Sequence, residues 1–522
     1  MRGAVAAGHP LTAEAGALIL ADGGNAVDAC IAAAFTSWVA ESPLTGPGGG
    51  GFMLVHRART RTDRVIDFFV AAPGLGARPP RPSAMEEIDV DFDRESSQIF
   101  RIGSASCGVP GTAAGLEAAH SAYGSLPWSR LLEPAIRLAH EGVELTRSQA
   151  YLHAILDLIL RHTEEGRRIY GPGGLRLNVG EPLVLDDLGG TLELLAKYGS
   201  CPLYRGELGR KLVRHLRETG GVIGSADLAA YRVVWRRPVR ARYRGHELVS
   251  NPPPSSGGVL IGYGLVLLDA LGPGGGPGSA EAIATLAEVM REQGRAREGS
   301  FSTALHRGGL TRRLYGEESL GAALARIRAR APGLAEAAAP GGTTHISVVD
   351  ARGNAASLSA STGSGSGVIV PGTGVHLNNM LGEPDLNPGA KPARPGVRLT
   401  SMMAPSIVLR DGRPRLVVGS AGSVRLRGAI MQIIVGVVGH GLPVAEAIEF
   451  PRVHLEEPKL HCEGGADAAE LDRLESWGYD IVRWRRRNLF FGGAAGVEVR
   501  ADGSLDAAGD PRRGGHGVVV AA

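Results

Sequence analysis

One segment limits the folds open to this 522-residue chain more than any other: Gly341-Gly-Thr-Thr-His-Ile-Ser-Val-Val-Asp350. A Pro/Gly/Ala-rich stretch, Ala331 to Gly342, leads into it, and an alternating strand pattern follows. The pattern fits a chain break set into a core. A flexible loop delivers the Gly342–Thr343 bond, and the residue after it opens a buried strand. Cutting there would give Thr343 a free α-amine beside its own hydroxyl. The amine can take the hydroxyl proton, which is the N-terminal-threonine route to a nucleophile. β-branched residues also favour strands on their own account, so the rest of the chain decides between a nucleophile and a plain strand start.

The chain is long enough for several sheet layers or more than one lobe. With 43% hydrophobic and 21% charged residues it has the composition of a soluble globular protein. Lys+Arg 56 against Asp+Glu 53 leaves +3, too small an excess to suggest nucleic acid or a membrane surface as partner. Cys30, Cys107, Cys201 and Cys462 are far apart and show no metal-ligand spacing, so neither a metal nor a cofactor is expected. No signal peptide is visible, and no run approaches the ~20 apolar residues that span a bilayer. The expected location is cytoplasmic.

Helical and strand patterns alternate. Helices are expected at Pro10–Ala21, at Ala26–Val39 with Asn25 as cap, and at Thr112–Tyr123, Leu131–His140, Gly206–Leu216, Val259–Leu271, Ala280–Gln293 and Glu318–Arg330. Phe52–His56 reads as a buried strand. Beyond Thr343, hairpins are expected at Ile346–Ser361, at Ser406–Gly419 turning on Asp411-Gly412, and around Ala501-Asp-Gly503, with helices at Leu426–Val438 and Val444–Phe450. Sheets packed together and covered by helices on their outer sides satisfy this pattern. The run Gly46-Pro-Gly-Gly-Gly-Gly51 precedes a strand and lacks a Gly-Lys-Ser/Thr ending, so it reads as close backbone approach rather than a phosphate cradle. Gly363-Ser-Gly-Ser-Gly367 reads either as a second close approach or as a mobile loop.

Several landmarks occur in a fixed order: Gly23-Gly-Asn-Ala-Val-Asp-Ala29, Gly48–Phe52, Gly108-Val-Pro-Gly-Thr112, Glu133-Pro-Ala135 and Asp227-Leu-Ala-Ala-Tyr231. Pro253-Pro-Ser-Ser-Gly-Gly258, Thr343-Thr-His, Leu377-Asn-Asn379 and Asp510-Pro-Arg512 follow. In this set the chain resembles, along nearly its full length, the γ-glutamyltransferase (glutathione hydrolase) family of N-terminal nucleophile hydrolases. The resemblance implies an α/β fold, a four-layer α-β-β-α sandwich. It implies a precursor cut before Thr343 into a large subunit 1–342 and a small subunit 343–522 that stay together, with any higher oligomer left open. It further implies Thr343 as nucleophile, with Ser361, or else Ser359, as the second hydroxyl beside its amine. Backbone N–H groups at Gly422-Ser423 would form the oxyanion turn.

The substrate-contacting positions implied by the resemblance are Phe69, Asn379, Glu383, Thr400 and Ser401. The donor shell departs from the family pattern at some of its positions. The arginine that pairs with a γ-glutamyl α-carboxylate is replaced by Phe69, so a bidentate clamp becomes an aromatic wall. Met380 takes an amide position, Glu383 the acid that holds an ammonium, and Thr400-Ser401 the Ser-Ser pair. Little room remains between Glu383 and Thr400 for a long lid. Arg425 and Arg427, just past the oxyanion turn, read as a solvated helix start, or else as stand-ins for the lost cation.

Three functions follow. One is a self-processing hydrolase or acyltransferase acting on γ-glutamyl or related acyl and amide small molecules through an altered donor pocket. A second is a homologue recruited to antibiotic (alkylproline-type) biosynthesis for hydrolytic C–C cleavage. The third is an uncleaved scaffold without activity.

Overall fold

The computed structural model describes residues 2–76, 83–92, 96–272, 274–329, 343–384, 386, 393–422 and 425–521. Thirteen of its strands build two sheets. In chain order they are β1 (Gly3–Ala7), β2 (Gly50–Arg57), β3 (Thr62–Phe68), β4 (Val234–Arg236), β5 (Val239–Tyr243), β6 (His246–Ser250) and β7 (Thr344–Asp350). Then come β8 (Ala355–Ser361), β9 (Ser406–Arg410), β10 (Arg413–Ala421), β11 (Gly493–Val499), β12 (Leu505–Gly509) and β13 (His516–Val520). The first sheet runs β13-β1-β7-β8-β2-β3-β4 and the second β12-β11-β10-β9-β6-β5.

The alternation of side chains assigns the layers. On β7 and β8, Ile346, Val348, Ala356 and Leu358 face a helical core with Ile31 and Phe35 of helix Ala26–Ala40. Across the other face, Phe52, Leu54, Phe69 and Val349 meet Val249, Ile407, Val417 and Val497 of the second sheet. That sheet's outer face, through Val408, Leu416 and Val418, packs on helices Gly257–Leu271 and Leu426–Ile434. Helix, sheet, sheet and helix follow in four layers.

Local chemistry accounts for several expected elements. Asn25 caps Ala26–Ala40 with a capping box, accepting from Val27 and Asp28 N–H while Asp28 accepts from Asn25 N–H. Helices Pro10–Ala21 and Thr112–Tyr123 occupy their expected spans. The glycine run is held by close approach, as its sequence suggests. A methyl group added at Gly48 would lie 2.2 Å from His376 O, at Gly49 2.4 Å from Ser361 O, at Gly50 2.7 Å from Val70 N and at Gly51 2.3 Å from Ser359 O. The second run behaves the same way: Gly363, at φ +75°, has Asn379 Oδ1 2.0 Å from the methyl it lacks.

Other elements were not expected from the sequence, and one begins earlier than expected. β1, with its weak strand-forming sequence Gly-Ala-Val-Ala-Ala, is a fully buried strand because it pairs with both β7 and β13. A hairpin, Glu86–Phe92 with Ser96–Ile102, stands apart from the two main sheets. The helix expected from Leu131 begins at Trp128. The loop expected at Ala331–Gly342 and most of the segment between Glu383 and Arg394 lie outside the described residues. Among the described residues no helix is long and apolar enough to cross a membrane.

Candidate active site

Thr343 stands one residue before β7. The antiparallel register pairs Thr344 with Ala360 and His345 with Ser359, so its continuation sets Thr343 opposite Ser361. Strand alternation then sorts the Thr-Thr-His triplet. Thr343 and His345 face the second sheet, and Thr344 faces the helices.

A cavity of about 30 Å³ at this point is walled by Thr343, Ser361, Phe69, Met380, Glu383 and Ser401, all buried. Leu386, Met402, Met403 and Leu426 supply the rest of its apolar surface. Ser361 Oγ accepts the Gly363 N–H at 2.7 Å, a bond that does not use its own proton. Phe69 is fixed from behind by Phe52, stacked at 5.4 Å with the rings 15° apart. Its carbonyl accepts from Tyr231 Oη at 2.8 Å and Arg398 Nη1 at 2.7 Å. The wall thus contains one carboxylate and, among the described residues, no cationic side chain.

Ser359 is used differently. Its hydroxyl lies 2.8 Å from His345 Nδ1, while His345 Nε2 meets Ser347 Oγ at 3.0 Å. Burial pushes the His345 pKa down to about 3, so the ring is neutral, and it packs under Gly419 of β10, where an added methyl would strike it at 2.3 Å. Of the two candidate serines, only Ser361 shares the cavity with Thr343.

Two residues expected to touch substrate lie outside the cavity wall. Asn379 spends its amide on Ser364, donating to Oγ at 2.7 Å and accepting the N–H at 3.0 Å. Thr400 donates to Leu386 O at 2.5 Å. Gly422 ends the excursion after β10 at φ +120° and accepts the Arg425 N–H at 3.0 Å. Ser423, expected beside it in the oxyanion turn, and Gly342 of the expected cleavage site lie outside the described residues. The reading of Arg425 and Arg427 as a solvated helix start is overturned. Both are buried, Arg425 lies 3.8 Å over the Phe490 ring, and neither lines the cavity.

On the far face of β7 is a set of charges that sequence reasoning missed. Thr344 Oγ1 donates to Glu41 Oε2 at 2.5 Å, and Thr12 Oγ1 donates to Glu41 Oε1 at 2.8 Å. Burial raises the Glu41 pKa, against the two hydroxyl bonds and nearby Arg513, which lower it. Arg513 reaches Thr343 O at 3.5 Å, and burial lowers its own pKa to about 10. Arg452 pairs with Asp510 at 2.6 Å, and Arg512 bridges Asp510 and Glu463. The Asp510-Pro-Arg512 landmark therefore anchors a buried ion network directly behind the nucleophile candidate. A lone acid ending a helix of small apolar residues was the one sequence signal that pointed to Glu41.

The sequence profile of the family described as Gamma-glutamyltranspeptidase matches residues 12–520. The chain is 34% identical over 534 residues to the "Acylase ACY 1 proenzyme" of Pseudomonas sp. (strain SE83), covering 99% of this chain and 94% of the relative. It is 31% identical over 537 residues to the "Glutathione hydrolase proenzyme" of Escherichia coli (strain K12), covering 98% and 90%. Among solved structures, the cephalosporin acylase from Bacillus halodurans superimposes with a TM-score of 0.85 over 99% of this chain and 95% of that one, at 24% identity, a likeness of fold. The Helicobacter pylori gamma-glutamyltranspeptidase gives a TM-score of 0.53 at 30% identity over 61% of this chain and 90% of that one.

Proposed function

The chain belongs to the gamma-glutamyltranspeptidase family of N-terminal nucleophile hydrolases, and on that premise we propose that it is a self-processing acylase. It would be cut between Gly342 and Thr343 and would act on amides whose acyl group carries an ammonium but no neighbouring carboxylate. Thr343 Oγ attacks the carbonyl carbon and its α-amine takes the proton. Ser361 orients that amine. Backbone N–H groups at Gly422-Ser423 receive the oxyanion. The amine product leaves with the proton returned by the α-ammonium, and water or an acceptor amine releases the acyl group.

The cavity wall carries the substrate reading. A γ-glutamyl donor brings a carboxylate that needs a buried cation, and leaving such a group unpaired costs more than the lost bond alone. The described wall offers Phe69 there, and Glu383 for an ammonium. Three of the chain's eight methionines, Met380, Met402 and Met403, line this one site. Methionine is unbranched and repacks readily, so a cavity now about the size of a water molecule can open for an acyl chain.

The test compares two anilides. γ-Glutamyl anilide and 4-aminobutyryl anilide differ only in the α-carboxylate. The expected result is a kcat/KM about tenfold or more in favour of the 4-aminobutyryl compound, about 1.4 kcal/mol. Preference for the γ-glutamyl compound overturns the reading.

A further inference from the structure

β7 carries Thr343 before its first residue. At its other end, seven residues and roughly 23 Å away at ~3.3 Å per residue, the two sheets part. A cleft of about 770 Å³ opens there between hairpin turns of both sheets. Its lining includes Arg57, Arg59 and Arg61 around the β2–β3 turn, Arg352 on the β7–β8 turn and Arg413 after the β9–β10 turn. We propose that this cleft binds a small phosphate-bearing polyanion.

The charge balance supports the proposal. The whole chain carries only +3, yet five arginines line this one concavity, Arg57 with its guanidinium 5.8 Å over the Tyr123 ring. Most of the acids around it are already committed. Asp63 is paired with His56 and Arg240, Glu498 with Arg415, and Asp506 with Arg500. Asp350, the one carboxylate in the lining, accepts N–H bonds from Ala26, Arg352 and Asn354 and a side-chain bond from the Asn354 amide. Asp502 is held by Ser504, and Asp411 lies on the turn beside Arg413 outside the lining. Among the described residues none of the five arginines forms an ion pair.

The backbone adds an independent observation. Arg61 has φ +49°, in the left-handed region that glycine occupies at lower cost. Its side chain reaches the opposite sheet, where a methyl added at Gly412 would lie 3.4 Å from Arg61 Cδ. A strained residue whose side chain spans a cleft points to a use for that side chain. The volume lies within the ~300–1,000 Å³ range of small-molecule sites. Guanidinium forks pair with phosphate through two parallel bonds, as they do with carboxylate, and the higher charge of a polyphosphate matches a cluster of arginines better than that of a tricarboxylate.

Calorimetric titration of the full chain with inorganic tripolyphosphate, ATP and citrate tests this. Tripolyphosphate and ATP should each bind once per chain, weakening as salt rises from about 50 to about 300 mM, with citrate at least tenfold weaker. The triple variant Arg59→Gln/Arg352→Gln/Arg413→Gln should bind tripolyphosphate at least tenfold more weakly and keep wild-type amide hydrolysis. Arg61→Gly should raise the Tm of the ligand-free protein while weakening tripolyphosphate, a pairing that loss of folding cannot mimic. No saturable binding of either phosphate, equal affinity in the triple variant, citrate as tight as ATP, or binding of duplex DNA without small anions each overturns the proposal.

Discussion

Thr344 and Glu41 are 303 residues apart in the chain and joined by a 2.5 Å hydrogen bond. The bond ties the residue after the nucleophile candidate to the C-terminal end of the first sheet's covering helix, on the face away from the cavity. With Arg513 touching the Thr343 carbonyl, it limits the freedom of the backbone that must present Thr343. Glu41→Ala should slow both self-cleavage and amide hydrolysis, because it removes a buried acceptor worth ~1–3 kcal/mol and leaves two threonine hydroxyls unmatched. Glu41→Gln keeps one oxygen and should retain most activity. Measuring the cut fraction and kcat together separates this from general unfolding, and an Ala variant with wild-type values for both rules out the positioning role.

Purified protein should consist of two pieces meeting at Gly342–Thr343 that co-elute without denaturant. The order of the first sheet explains the co-elution. β1 from the N-terminal piece sits between β7 and β13 of the C-terminal piece, and β8 of the latter pairs with β2 of the former. Thr343→Ala should remain one chain by intact mass. Uncut, active wild type contradicts the scheme.

The two serines of β8 should respond differently. Ser361→Ala is expected to lower kcat by about a hundredfold, through misorientation of the Thr343 amine, with little change in Tm. Ser359→Ala leaves His345 Nδ1 unmatched and should cost ~1–3 kcal/mol of stability with kcat nearly unchanged. Reversed phenotypes would assign the amine-supporting hydroxyl to Ser359.

Phe69→Arg should raise kcat/KM for γ-glutamyl anilide by about tenfold, and Glu383→Gln should weaken every substrate that carries an ammonium. If the arginine variant leaves the anilide ratio unmoved, Phe69 does not face the donor's carboxylate.

Acid should destabilise the fold early. Burial holds His345 to a pKa of about 3 and His9, His153, His376 and His461 to about 4. Unfolded, each takes a proton near its ordinary ~6.5. The unfolded state therefore binds more protons between about 6.5 and 4, and stability falls as pH falls through that window, by about 1.4 kcal/mol per pH unit for each histidine. Glu41, raised by burial, and His140, raised by its Asp186 and Glu193 partners, act in the opposite sense but are two groups against five. Urea midpoints at pH 7 and pH 5 read the effect, and equal midpoints refute it.

Much of this was legible from local chemistry. A capping asparagine and glycines without room for Cβ declare themselves within a few residues. What stayed hidden depends on distant partners. β1 is a strand because β7 and β13 flank it, which its five small residues do not encode. Ser359 and Ser361 are indistinguishable until the register with His345 is known. Arg425 looks like a surface residue until Phe490, some sixty positions later, covers it.

The four glycines from 48 to 51 also have a genetic consequence. Every other amino acid brings a Cβ into main-chain atoms at 2.2–2.7 Å there, and two of those atoms are the carbonyls of Ser359 and Ser361. No codon change away from glycine is conservative at these positions. A saturation library of this gene should return the block unaltered, so drift in substrate preference must come through the methionines and Phe69 across the cavity, where side chains can change without moving the strand that holds Ser361.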